Sequence, residues 1–252
     1  LDQTHLAVIA ADGSFLKALP SMCWAMFRKK TVNRGVKLHL QLDVRTGLPL
    51  YGELGTAMSS EKKALAKALR SEALYLLDRG YLDYSLFQKI HDAGSNFIAR
   101  IKEGCSCQPL KERPLSGADA AAGVLIDQEV MVGSEFTAGD LAIPVRRLVV
   151  EGADGRRIVL LTDSALPAQV IADLYRWRWQ VELFFRWFKC ILGCTHWVSR
   201  SRQGLTLQVY VALLASLLIA VWTGRKPSKR TFEMLQLYMM GWAKPHELAA
   251  HL

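Results

Sequence analysis

The sequence predicts a mixed α/β fold, a sheet flanked by helices and interrupted by a β-rich insertion. Three observations lead there. Short apolar or alternating runs read as strands at Leu6–Ala11, Val36–Val44, Ala73–Leu77 and Asn96–Ile101. Helical stretches with capping signals separate the later runs. A segment rich in Gly, Pro, Ala and Ser, Glu103–Gly139, then breaks the pattern before helices resume. At 252 residues, 51% of them hydrophobic and 22% charged, the chain can bury a substantial core and is not of disordered composition.

Each element has a local reason. Leu6–Ala11 is a buried strand, and Asp12-Gly13-Ser14 reads as the turn that ends it. Val36–Val44 alternates in polarity, Thr46-Gly47 is a turn signal, and Leu48–Leu54 returns as a hairpin partner. Ser59-Ser60-Glu61 opens a helix to about Arg70, with serine as its cap. Ala73–Leu77 ends at Asp78-Arg79-Gly80-Tyr81; a helix follows from Asp83 to about Ala93, closed by Gly94. Within the insertion Gln128–Val132 is strand-like, and Val145–Glu151 with Arg156–Leu161 forms a hairpin around Ala153-Asp154-Gly155. Pro167 suits the first turn of a long helix reaching about Lys189. A second helix covers about 204–222, Lys226–Arg230 is a basic linker, and a final helical segment ends the chain.

A net charge of +9 points toward a polyanionic partner. The five cysteines are an odd set without disulfide-scaffold density, which suits a reducing compartment. Neither Cys105-x-Cys107 nor Cys190-x3-Cys194-x-His196 has the paired spacing of structural zinc, so these read as ordinary thiols. The opening residues lack the basic region of a secretory leader, and cytoplasmic placement is expected. Leu205–Trp222 is apolar but broken by Thr206, Gln208 and Ser216; it reads as a buried core helix, with no membrane partner. The chain holds no G-x4-G-K-[ST] loop, G-x-G-x-x-G fingerprint or G-x-S-x-G elbow, so nothing supports ATP use, dinucleotide binding or serine hydrolase chemistry. His246-Glu247-x3-His251 has its second histidine one residue too late for a zinc-protease helix.

Leu174–Lys189 carries the chemistry. On one continuous helix, Tyr175, Arg178, Glu182, Arg186 and Lys189 fall within roughly 80° of arc. Most of the remaining surface is Trp, Phe, Leu and Val, so the helix is expected to be buried and its polar stripe to be used. Arg178 and Glu182, four apart, can form an ion pair, but Arg186 and Lys189 leave the stripe cationic around one carboxylate. That combination suits a site where a metal meets a phosphate backbone.

Tyr175-x2-Arg178-x3-Glu182-x6-Lys189 resembles the Y-x2-R-x3-E-x6-K signature of DDE transposases of the insertion-sequence-four family. Asp12-Gly13-Ser14 and Asp78-Arg79-Gly80-Tyr81, each after an apolar strand, look like that family's first and second aspartate motifs. Lys37-Leu38-His39 and Arg100-Ile101-Lys102 look like further landmarks. The resemblance implies an RNase H-like catalytic core split into 1–102 and 156–224, an insertion at 103–155 and a helical tail at 225–252. It implies Asp12, Asp78 and Glu182 as catalytic residues and ligands of two Mg²⁺ or Mn²⁺ ions. Tyr175, Arg178 and Lys189 would contact the DNA backbone, joined by Arg186. Three clustered carboxylates repel one another, and hard divalent cations remove that penalty.

The implied function is DNA transposition: cutting double-stranded DNA at element ends and joining them to target DNA, as a homodimer in the nucleoid. The alternatives are a nuclease or resolvase of the same fold, or a truncated, inactive DNA-binding remnant. Asp12 stands so early that the end-recognition domain of full-length members is expected to lie outside this chain. Phe136 is the only aromatic residue between Glu103 and Arg157, so a base-flipping tryptophan is missing there and the resemblance supports a DNA hairpin route less than it supports the strand cut.

Overall fold

A computed structural model describes residues 6–19, 21–22, 24–27, 34–102, 104–133, 141–152, 154–192, 197–225 and 228–251. In chain order the first strands are β1 (Ala7–Lys17), β2 (Met26–Phe27), β3 (Arg34–Asp43) and β4 (Pro49–Thr56). Then come α1 (Glu61–Lys67), β5 (Ala73–Leu77), a 3-10 turn (Arg79–Tyr81), α2 (Tyr84–Asp92) and β6 (Asn96–Ile101). The insertion supplies β7 (Cys107–Glu112), α3 (Gly117–Ala121) and β8 (Val124–Val132), followed by β9 (Val145–Glu151) and β10 (Arg157–Thr162). The chain ends in α4 (Ala168–Arg176), α5 (Trp179–Leu192), α6 (Arg202–Thr223), α7 (Lys229–Met239) and α8 (Pro245–Ala249). It forms two compact units: Leu1–Asp12 with Ser60–Trp179, and Gly13–Ser59 with Gln180–Leu252.

The first unit is built on a mixed sheet in the order β1-β5-β6-β10-β9-β8-β7. β1, β5 and β6 are parallel, and the rest is antiparallel. All five residues of β5 are buried, as a central strand covered on both faces requires. α2 covers β6, with Phe87 stacked on Phe97 at 4.4 Å between ring centroids. Asp83 caps α2 by accepting from the Leu86 amide, and Gly94 leaves the helix at φ +72°. Ser60 caps α1 in the same way, through the Lys63 amide. β7 ends the sheet order, carries Pro109 and is almost wholly exposed, as suits an edge.

One buried ion pair ties the insertion to the start of α4. Arg146 of β9 donates to both carboxylate oxygens of Asp127 on β8, at 3.2 and 2.5 Å, and also to the carbonyls of Ser164 and Leu166. Both side chains are under 10% exposed. α4 begins at Pro167, which has no capping side chain; Asp119 of α3 supplies the missing acceptor by taking the Gln169 amide at 2.9 Å. Asp119 also closes a capping box with Ser116 on its own helix.

In the second unit β3 pairs antiparallel with β4 from Val36↔Thr56 to Leu42↔Pro49, with β2 beside β3's start. Trp187 of α5 meets Phe232 of α7 edge-on at 5.0 Å, and the Tyr210 hydroxyl of α6 donates to the Gly52 carbonyl of β4. Ser201 caps α6, and Gly224 ends it in the left-handed conformation.

Four expectations are corrected. β1 does not stop at Asp12: Ser14 and Leu16 continue the buried face, so strand pairing overrides the local turn signal. The insertion holds β7 and α3 besides the stretch within β8. The long helix from Pro167 is two helices. α4 closes through i→i−3 bonds, Trp177 N–H to the Leu174 carbonyl and Arg178 N–H to the Tyr175 carbonyl, before α5 starts at Trp179. Finally α6 is not a buried core helix. Leu207, Val211, Leu214, Leu218 and Trp222 are each more than half exposed, because one face alone packs on the unit. Among the described residues α6 is the one helix long and apolar enough to cross a membrane, by length and composition only.

Replacing Asp127 by Ala leaves the Arg146 charge buried without its partner. Urea denaturation is expected to show a loss of about 3–5 kcal/mol. A loss below about 1 kcal/mol would mean that the pair is solvated and does not anchor α4.

Candidate active site

Strand register brings the two aspartates together. β1 and β5 pair as Ala7↔Ala73 through Ala10↔Leu76, and two further steps set Asp12 opposite Asp78. Asp12 lies inside β1, and Asp78, at φ −85° and ψ 174°, extends β5 by one residue. Partners across a parallel pair share a face and lie about 4.8 Å apart. Both carboxylates are therefore neighbours on one side of the sheet, and both residues are partly exposed.

β5 and β6 pair as Leu74↔Asn96 through Leu77↔Ala99, and the next step sets Arg100 opposite Asp78. Asp12, Asp78 and Arg100 thus form one row across three adjacent strands. Arg100 faces Leu160 on its other side, where β10 pairs antiparallel.

Tyr175, in the last turn of α4, is 7% exposed. Its hydroxyl is pushed up to about 12, first by burial; Arg178 opposes the shift, Asp78 adds to it and Arg100 opposes it. The phenol therefore lies within electrostatic reach of Arg178, Asp78 and Arg100. Arg178 stands close enough to the phenol oxygen to favour its ionised form, but the phenol's own proton, like the Nε of Arg100, is buried without an acceptor. Each such orphan costs about 1–3 kcal/mol, a cost that an incoming acceptor would relieve. The Arg178 guanidinium carbon lies 6.0 Å from the Tyr175 ring centroid, at the limit of cation–π contact.

Tyr81, 2% exposed, closes the 3-10 turn after Asp78. Burial raises its hydroxyl well above the ordinary tyrosine range, and Glu61, Asp12 and Asp78 each raise it further. A Cβ on Gly80 would stand 3.2 Å from the Glu61 carboxylate, so glycine there lets Glu61 approach the turn closely. Tyr81, Glu61 and Arg100 were not among the residues the sequence singled out for the site. Tyr81 and Arg100 lay within quoted motifs without a role, and Glu61 read only as the first residue of a helix.

Glu182, Arg186 and Lys189 all belong to α5, in the second unit. Within α5 they share one face, about 60° wide. Glu182 and Lys189 are partly exposed and Arg186 is exposed. The turn at Trp177-Arg178 interrupts the single continuous helix on which the stripe with Tyr175 was drawn. α5 buries Val181, Phe185 and Phe188 but leaves Trp179 and Leu183 over 40% exposed, and is not buried all round as expected.

Two hard carboxylates at one height of a parallel sheet are a donor pair that fits a divalent cation. Among the described residues no three His, Cys, Asp or Glu side chains stand close enough to hold an ion by themselves. Cys105 and Cys107 are free thiols; Cys194, His196 and Phe136 lie outside the described residues, and so does the side chain of Cys190.

Residues 4–218 match the family model described as the transposase DDE domain. A transposase-family protein of Sinorhizobium fredii is 32% identical over 75% of this chain and 53% of its own length. A second, from an insertion sequence element of Geobacillus stearothermophilus, is 23% identical over 82% of this chain and 54% of its own. This chain spans about half the length of these curated relatives. Among solved structures it resembles the piggyBac transposase in its synaptic complex with hairpin DNA, with a TM-score of 0.53 and 13% identity over 93% of this chain and 52% of the other. That likeness speaks to the fold, which is RNase H-like.

The raised Tyr175 pKa has a defined consequence. Its contribution to stability is complete below about pH 10, where free tyrosine ionises, and is lost as pH rises through about 12. In Tyr175→Phe, spectrophotometric titration should lose one late-ionising phenol, and the alkaline fall in unfolding free energy should be shallower. A titration curve identical to wild type would show that this phenol does not ionise late.

Proposed function

The chain belongs to the transposase DDE-domain family of insertion sequences, and on that premise we propose that it is the catalytic core of a DNA transposase, cutting DNA at element ends and joining them to target DNA. The observation that carries the reading is the side-by-side placement of Asp12 and Asp78 by the β1–β5 register. Glu182 follows Arg178 by four residues and is the third acid of the proposed set. Asp12 would be shared by two Mg²⁺ or Mn²⁺ ions, with Asp78 holding one and Glu182 the other. Such ions, when bound, lower the pKa of an attacking hydroxyl and neutralise charge building on the leaving oxygen.

The protein's own groups do the rest. Asp12 and Asp78 are presented from a rigid sheet, so their oxygens need no rearrangement when substrate arrives. The Tyr175 phenol, protonated at neutral pH, is a hydrogen-bond donor for a phosphate oxygen. Arg178 stands next to it, and Lys189 and Arg186 extend positive charge along α5 toward the DNA backbone. In cleavage, a water oxygen attacks phosphorus in line, the P–O3′ bond breaks, and the 3′ oxygen leaves as a hydroxyl. In joining, that hydroxyl attacks a phosphorus of the target strand, and a new P–O bond forms as the target's own P–O3′ bond breaks and its 3′ oxygen leaves as a hydroxyl. The proposed assembly is a dimer on paired ends of double-stranded DNA, acting in the cytoplasm.

Glu182→Gln is expected to abolish divalent-dependent nicking of a DNA end while leaving duplex affinity within about twofold. Nicking at the wild-type rate would remove Glu182 from the acid set. Lys189→Ala should weaken binding for all sequences alike and reduce the salt slope of the binding constant by about one. A slope equal to wild type would show that Lys189 meets no phosphate.

A further inference from the structure

α6 is apolar on two opposite faces, and its own unit covers only one of them. Leu205, Val209, Leu213, Ser216 and Ala220 are buried, and the Tyr210 hydroxyl ties the helix to the Gly52 carbonyl of β4. On the far side Leu207, Val211, Leu214, Leu218, Val221 and Trp222 are each more than half exposed. At 100° per residue these six fall within roughly 100° of arc, and no other residue between Leu207 and Trp222 shares it. No charged residue occurs from Gln203 through Gly224.

Size and spacing say what covers this face. Its side chains leave roughly 800 Å² of apolar surface in one patch, about what each partner brings to a stable protein interface and above the few hundred Å² that monomers usually expose. Trp222 also shares the wall of a cleft with Tyr238 and Pro245, which widens the patch at the end of the helix. The steps from Leu207 to Val211, Leu214, Leu218 and Val221 are four, three, four and three residues, a repeat that keeps one seam turned toward a partner helix. That seam is its own complement. Turned about a twofold axis through Leu214, it sets Leu207 against Val221, Val211 against Leu218 and Leu214 against itself. Every layer is then apolar against apolar, and the opposed helix dipoles favour the arrangement. A helix that lies on a bilayer carries a cationic polar face opposite its apolar one. The opposite face of α6 is apolar and already packed.

We propose that the exposed face of α6 is a docking surface for a second copy of this chain, the two helices packing antiparallel about a twofold axis at Leu214. The contact uses none of the acidic or cationic residues assigned above and needs no DNA, so it stands whether or not the chain cuts DNA. Burial of apolar surface holds it together, and it persists at salt concentrations that strip a basic protein from nucleic acid.

The test uses the full 252-residue chain, free of DNA and at high salt. Sedimentation equilibrium is measured across a dilution series, with thermal melting as the control for folding. Wild type is expected at twice the chain mass. Leu214→Glu and Leu214→Lys each set like charges face to face at the axis and should weaken association at least about a hundredfold. Mixed in equal amounts, the two variants should associate again to within about tenfold of wild type, because opposite charges then meet. Leu214→Ala keeps the helix and should weaken association about tenfold. It decides if a charged variant fails to melt cooperatively: that loss supports the assignment, and association equal to wild type overturns it. A monomeric wild type, a dimer that both charged variants leave intact, or a mixture that stays monomeric overturns it as well. A monomeric wild type that floats with phosphatidylcholine vesicles gives the face to lipid instead. Divalent-dependent nicking of a DNA end, scored on the same preparations, reports on the acid set separately: a chain that dimerises but does not nick sinks the functional reading alone.

Discussion

The register of three parallel strands is the constraint on which the site depends. Asp12, Asp78 and Arg100 meet because β1, β5 and β6 are aligned to the residue. That alignment is held by apolar side chains: Val8 to Ala11, the whole of β5, and Phe97 to Ala99 are buried. A slip of one residue would turn every buried side chain on the shifted strand to the opposite face. The polar row therefore inherits its accuracy from the hydrophobic core beneath it, and none of the three residues has to hold its own place.

The row is also where the fold is left incomplete. A buried phenol and a buried guanidinium nitrogen without acceptors work against folding, and native proteins keep few such groups. Their persistence beside carboxylates makes sense if the missing acceptor arrives with a ligand.

Much of this was legible in the residues. The hairpin of β3 and β4, the caps at Ser60 and Asp83, and the left-handed Gly94 follow from local chemistry, and local chemistry is what a sequence displays. The errors share a cause. Asp12-Gly13-Ser14 is a strong local turn signal, defeated by pairing that its neighbours impose. The break at Trp177-Arg178 is invisible to periodicity because an amphipathic pattern continues on both sides of it. α6 is apolar on every face, so composition does not tell which face is covered. β7 was missed because an exposed, polar edge strand has no alternation to read. Arg100 joins the row of Asp12 and Asp78 only when β6 is aligned with β5, a relation between segments that no single segment encodes.

The bond from Asp119 to the Gln169 amide has a mechanical consequence. α4 carries Tyr175 at one end and, at the other, depends on an acceptor borrowed from α3 in the insertion. Tension on the insertion, from a strand of nucleic acid or a neighbouring subunit, would be felt first at that junction. Unseating it frays the opening turn of α4 and loosens the phenol at its far end. The anchoring of the helix that carries Tyr175 is thereby shared between α4's own turns and a side chain of the insertion.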